Sequence, residues 1–168
     1  AASDVYKRQV YIDLSIKPLD ALLNLFSKDS YHVQRFISKE FEKKLISILQ
    51  NDTFDIVQLE TLYISPFIET IRENSKAKIV LRAHNIEHLI WERVAEISSN
   101  PLKKLYLKHL AKKLKNYELE IISKYDGIAT ITSKDASFFK NTGCEVPIIS
   151  IPFGIDLEKI KENPGIKA

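Results

Sequence analysis

Short apolar runs alternate with stripes of apolar residues at helical spacing along most of this chain. From Tyr31 to Gln50, Val33, Phe36, Ile37, Phe41, Leu45, Ile48 and Leu49 recur every three to four residues, with Lys39, Glu40, Glu42, Lys43 and Lys44 on the other side. That spacing predicts one amphipathic helix. Before it, Val10 to Leu14 reads as a short strand, and Pro18 with Leu19, Leu22, Leu23 and Phe26 reads as a short helix with proline in its first turn. Asn51-Asp52 breaks the pattern, Phe54 to Leu59 follows as a strand ending at Glu60, and Pro66, Phe67, Ile68 and Ile71 predict a helix closed by Asn74-Ser75.

The apolar run Lys78 to Leu81 predicts the next strand, followed by a helix over Ile86 to Ile97. Pro101 opens a longer helix with the stripe Leu102, Leu105, Tyr106, Leu110, Leu114, Tyr117 and Ile121. Asp126 to Ile131 is a further strand. Thr132 and Asp135 fit a capping box into a helix that Gly143 ends, and Val146 to Ile151 is the last strand. Strands alternating with helices predict an α/β fold: a Rossmann-like three-layer sandwich with a mostly parallel sheet, helices on both faces and right-handed crossovers.

Composition narrows this picture. At 168 residues, 45% hydrophobic and 28% charged, the chain suits one globular domain with a core of its own. Its apolar runs fall far short of the roughly 18 residues of a membrane span, and no charged start followed by an apolar segment marks a signal peptide. One cysteine, Cys144, excludes an internal disulfide and points to a reducing, cytoplasmic setting. A net charge of +3 is too small to argue for nucleic acid. Residues 1 to 9 carry no apolar periodicity and resemble a cloning or sequencing remnant, which leaves 10 to 151 as the expected domain.

Candidate chemistry concentrates where three strands end: Glu60-Thr61, Arg82 to Glu87, and Thr132-Ser133. Parallel strands would bring all three to one crevice, the usual ligand site of an open α/β sheet. Two of these clusters also open helices, whose free N–H groups favour an anion such as a phosphate. Each residue has a purely structural reading as well. Asn85 is a good N-cap, Glu87 complements a helix dipole, Thr132 and Asp135 can be reciprocal caps, and Glu60 can be a solvated carboxylate. His84, between Arg82 and Asn85, is poorly explained by capping or packing, and an imidazole suits proton sharing near neutral pH.

Two other readings use the same stretch or its neighbour. His84-Asn85-Ile86-Glu87-His88 spells H-x-x-E-H, a zinc-hydrolase signature that requires both histidines on one helix and a third ligand, for which Glu118 and Glu120 are the nearby carboxylates. Here His84 closes a strand, which argues against a metal site. The long helix carries Lys103, Lys104, Lys108, Lys112, Lys113 and Lys115, a solvated face that also fits contact with an anionic membrane.

Several separated motifs agree on one family. FDIVQLE at Phe54 to Glu60, LRAHNIEHLIWER at Leu81 to Arg93, YELEIISKYDGIATITSKD at Tyr117 to Asp135 and IPFGID at Ile151 to Asp156 together resemble the amino-terminal half of a bacterial GT-B glycosyltransferase of the retaining GT4 type. The resemblance implies two Rossmann-like domains facing across a cleft, the amino-terminal one holding a saccharide or glycolipid acceptor and the other most of the nucleotide-sugar. It implies no metal and no cofactor beyond that co-substrate, and polysaccharide synthesis at or near the inner face of the cell membrane.

By the same resemblance His84 faces the reacting sugar, Arg82, Asn85, Glu87 and Glu60 line the acceptor side, and Thr132 and Asp135 match an "IT..D" element whose simplest role is capping. Pro152 and Gly154 fall in the segment leading to the second domain, so residues 152–168 would begin an interdomain connection. The family's first strand, its glycine-rich turn and the carboxyl-terminal donor domain have no counterpart here, so the chain alone is expected to be inactive. The alternative from another class is a non-catalytic Rossmann-like ligand-binding or interaction domain.

Overall fold

The computed structural model describes residues 7–27 and 29–154. In chain order the elements are α1 (Pro18–Asn24), α2 (Tyr31–Gln34), α3 (Lys39–Asn51), β1 (Ile56–Leu59), a 3-10 helix (Leu62–Phe67), α4 (Ile68–Asn74), β2 (Lys78–Ala83), α5 (Glu87–Glu96), α6 (Pro101–Ile121), a short 3-10 turn (Ile122–Lys124), β3 (Gly127–Thr130), α7 (Ser133–Asn141) and β4 (Ile148–Ser150). The four strands pair side by side in the order β1-β2-β3-β4, all parallel, with Leu59 opposite Leu81, Leu81 opposite Ile128 and Ile128 opposite Ile148. The fold is therefore α/β and Rossmann-like, as the alternation of runs and stripes predicts.

Strand alternation sorts the sheet's side chains to two faces. Leu59, Ile79, Leu81, Ala83 and Ile128 point to the same side, where they join Ile68 and Ile71 of α4, Leu114 and Ile121 of α6 and Phe139 of α7 in one buried cluster. The opposite face carries Ile56, Gln58, Val80, Arg82, Ala129 and Ile149, of which Ile56, Gln58 and Ile149 are exposed. Parallel strands deliver their carboxyl ends to one edge, so Glu60, His84 and Thr132 lie along the same rim. At the other end of β2, Asp126 accepts the N–H of Ile79 at 2.8 Å and pairs with Arg72 at 2.7 Å, pinning the start of the β2–β3 ladder.

Several expected elements differ in detail. Residues 10–14 form no strand. The helix expected over residues 31–50 is broken at 35–38, because the Ser38 hydroxyl accepts the N–H of Phe41 and starts α3 afresh. β2 runs two residues further than its apolar core, so Arg82 belongs to the strand and points to the open face. α7 ends where Gly143 takes φ +82°, a conformation that favours glycine.

In α6 the buried stripe is Leu107, Leu110, Ala111, Leu114, Glu118 and Ile121, while Leu102 and Leu105, expected in the core, are 79% and 69% exposed. Residues 1–6 of the expected remnant, and 155–168 of the expected interdomain connection, lie outside the described residues. Among the described residues no helix is long and apolar enough to cross a membrane.

Candidate functional site

At the rim, His84 and Glu60 meet across neighbouring strand ends. His84 Nε2 lies 3.0 Å from Glu60 Oε2, with both side chains partly exposed. Glu60 also accepts a hydrogen bond from the Gln58 amide; that bond first, and the His84 imidazole second, hold its carboxyl below the usual range. Arg82 Nη2 donates to the Ile151 carbonyl at 2.6 Å, tying β2 to the segment that leaves β4. Phe153 on that segment lies 5.9 Å from the His84 ring and 5.6 Å from the Arg82 guanidinium. Among the described residues His84 is thus held on one side by a carboxylate and on another by an aromatic ring, with 38% of its side chain exposed.

Beneath this exposed cluster lies a buried one. Glu118 of α6 accepts the N–H groups of Glu87 and His88 at 3.0 and 3.1 Å, and its Oε2 lies 2.6 Å from His88 Nδ1. The carboxylate therefore caps α5 from a neighbouring helix. Asn85, read from the sequence as the cap, is exposed; the cap position is Ile86, whose apolar side chain can make no capping bond. Glu118, Arg82, His84, Asn85 and Glu87 all line a cavity of about 10 Å3 below the rim, too small for a ligand but marking where the buried and exposed clusters meet.

Glu87 is half buried, and desolvation raises its carboxyl above the usual range even though it accepts the Tyr63 hydroxyl at 2.8 Å. Tyr63 in turn accepts the Trp91 indole N–H at 3.2 Å, and Trp91 stacks on His32 with ring centroids 3.8 Å apart. Burial first, and the Arg35 guanidinium second, push the His32 imidazole down from 6.5 to about 4. Between those values the unfolded chain binds a proton that the folded chain does not, so stability rises with pH across this window. The contribution of His32 is complete above pH 6.5 and is lost as pH falls toward 4. The full amount is about 3 kcal/mol, at roughly 1.4 kcal/mol per pKa unit. Urea titrations at pH 7 and pH 4.5 should show His32→Phe losing about 2 kcal/mol less on acidification than the parent chain; an equal loss in both would refute the assignment.

The structure brings Glu60, Arg82, Asn85 and Glu87 around His84, while Thr132, on the same rim, engages Asp135. Thr132 Oγ1 accepts the N–H of Asp135 at 3.1 Å and donates to its carboxylate at 2.8 Å, forming a cap that engages both side chains with each other. Pro152 and Gly154 are exposed in the stretch after β4, and a side chain at Gly154 would meet no atom within 4 Å. The two histidines of H-x-x-E-H do not converge: His84 pairs with Glu60 at the surface and His88 with Glu118 in the core. Among the described residues no group of three or more His, Cys, Asp or Glu side chains could hold a metal ion.

Tyr63, Trp91 and Phe153 escaped sequence reasoning as members of the site, and Glu118 entered it only as a possible third zinc ligand, although it is a carboxylate in register with the apolar stripe of α6. No protein-family model, curated protein or solved structure matches the chain.

Proposed function

We propose that the chain is the acceptor-side half of a GT-B glycosyltransferase of the retaining GT4 type, which transfers a sugar from a nucleotide-sugar to a saccharide or glycolipid acceptor. One observation carries this reading: the paired imidazole and carboxylate of His84 and Glu60 stand at the carboxyl edge of a parallel sheet, where an α/β fold binds ligands. In the transfer, the bond between the sugar's anomeric carbon and the nucleoside diphosphate breaks, a bond to the acceptor hydroxyl oxygen forms, and the hydroxyl proton passes to the departing diphosphate oxygen. His84 would hydrogen-bond the reacting sugar, oriented by Glu60. Arg82 and Asn85 would line the acceptor side, and Glu87, held by Tyr63, would keep the wall of the cleft in shape. The donor domain would form the opposite wall.

Transition-state binding needs both walls, so this chain alone is expected to release no nucleoside diphosphate from UDP-, GDP- or ADP-sugars. The product of the complete gene, with a suitable acceptor, should release it from one of them. Sugar transfer by the isolated 168-residue chain would overturn this division of labour. A complete gene product that binds saccharide without turning over any nucleotide-sugar would favour the non-catalytic binding domain instead.

A further inference from the structure

The first half of α6 is basic on a scale that nothing in the fold balances. From Ile97 to Tyr117 the chain carries six lysines and no acidic residue. Two of these lysines serve the fold: Lys104 Nζ donates to the Glu96 carbonyl and Lys113 Nζ to the Asn24 carbonyl. Among the described residues none of the six lies within ion-pair distance of a carboxylate. On one flank Glu92 and Glu96 of α5 share a groove with Lys108, Lys112 and Lys115.

The same stretch holds apolar side chains in water. Ile97, Leu102 and Leu105 are 83%, 79% and 69% exposed. Leu102, Leu105, His109 and Lys112 follow one another at three- to four-residue spacing, so they share one side of the helix, away from the buried stripe of Leu107, Leu110, Leu114 and Glu118. α1 packs on α6 through Ala21, in one buried cluster with Leu110 and Tyr106, and its own Leu19 and Leu23 are exposed.

This pairing of charge and apolar surface decides between partners. A helix face that meets only water uses the lysines and gains nothing from the leucines. Nucleic acid, read through its phosphates and base edges, satisfies the lysines and leaves the leucines idle. A bilayer with anionic headgroups takes both: its phosphates meet the ammonium groups, the lysine stems lie along the interface, and the leucines enter the acyl boundary. No described helix is long and apolar enough to cross a membrane, so the contact is with the surface.

We propose that the exposed side of α6, from Ile97 to Lys112, is a docking surface for an anionic lipid bilayer. The helix lies in the plane of the surface, with Leu102 and Leu105 directed into it and Lys108 and Lys112 at the headgroups. The contact does not depend on sugar transfer and stands or falls separately from it.

Co-sedimentation of the 168-residue chain with large vesicles tests it. Vesicles of phosphatidylcholine and phosphatidylglycerol in equal parts should bind the chain saturably. Pure phosphatidylcholine should bind it at least about tenfold more weakly, and raised salt should weaken the anionic binding. Lys108→Glu with Lys112→Glu should weaken binding by about tenfold or more. Lys43→Glu with Lys44→Glu, exposed on α3 and identical in net charge change, should weaken it by less than about threefold. Leu102→Gln with Leu105→Gln, which leaves the charge alone, should weaken it about tenfold. All six positions are exposed, so the thermal midpoint should stay where it is. The proposal fails if anionic vesicles do not bind the chain, if pure phosphatidylcholine binds it equally well, if the α3 changes cost as much as those on α6, or if the two leucines can be replaced without loss. Tighter binding to a labelled single-stranded oligonucleotide than to the vesicles, unaffected by the leucine changes, would give the face to nucleic acid and overturn the proposal.

Discussion

Replacing Glu118 with leucine should destabilise the chain by roughly 3–5 kcal/mol, because two backbone N–H groups and the His88 ring lose their partner and each buried group left unpaired costs on the order of 1–3 kcal/mol. The reason is the number of groups left behind. Glu118 and His88 are essentially inaccessible, and the carboxylate accepts the Glu87 and His88 N–H groups besides contacting His88 Nδ1. Leucine fills the volume but satisfies none of these groups, and a buried donor left unpaired costs on the order of 1–3 kcal/mol. Glu118→Gln keeps one acceptor oxygen and should lose less. His88→Phe together with Glu118→Leu should cost less than the sum of the two single changes, because the pair acts as a unit. Urea unfolding of the four variants measures this directly. A loss below about 1 kcal/mol for Glu118→Leu would show that α5 does not depend on its borrowed cap.

That carboxylate also shows where sequence reasoning reached its limit. Apolar runs and stripes are local signals, so the succession of strands and helices, the long α6 and the capping box at Thr132 and Asp135 were legible from Lys78 onward. The phase of the α6 stripe was not. Leu102 and Leu105 extend the helical spacing, yet α6 has 21 residues and spans about 31 Å, and these two leucines of its first turns stay exposed. The break before α3 was masked because Val33, Phe36, Ile37 and Phe41 keep helical spacing across it; Ser38, with Glu40 and Glu42 behind it, was the start signal.

His84 and Glu60 could be placed on one edge from the parallel sheet alone. Their pairing at 3.0 Å could not, because it depends on the register of Leu59 with Leu81. The cap on α5 was misassigned to Asn85 for a similar reason: its true acceptor lies about thirty residues away, on another helix.

If the chain is the acceptor-side half of a glycosyltransferase, as proposed, His84→Ala in the complete gene product should reduce turnover by roughly 10²–10⁴, the usual contribution of a positioned acid–base or hydrogen-bonding side chain. The site makes this a clean experiment. The His84 side chain is 38% exposed and its hydrogen-bond partner among the described residues, Glu60, is more exposed still, so the substitution leaves no buried described group unpaired. Stability should change by no more than about 0.5 kcal/mol, as for most surface changes.

The pair can then be taken apart. His84→Gln retains a side-chain hydrogen-bond donor without a titrating ring; recovery of most activity would assign His84 to hydrogen bonding, and continued loss would assign it to proton sharing. Glu60→Gln keeps the size of the side chain facing the imidazole but removes its charge, so it should lower the turnover number less than His84→Ala. The change should appear in the turnover number more than in the Michaelis constant, because a group serving the transition state contributes little to ground-state binding. Near-normal turnover in a well-folded His84→Ala protein would remove His84 from the chemistry and leave its pairing with Glu60 as a surface contact between two strands.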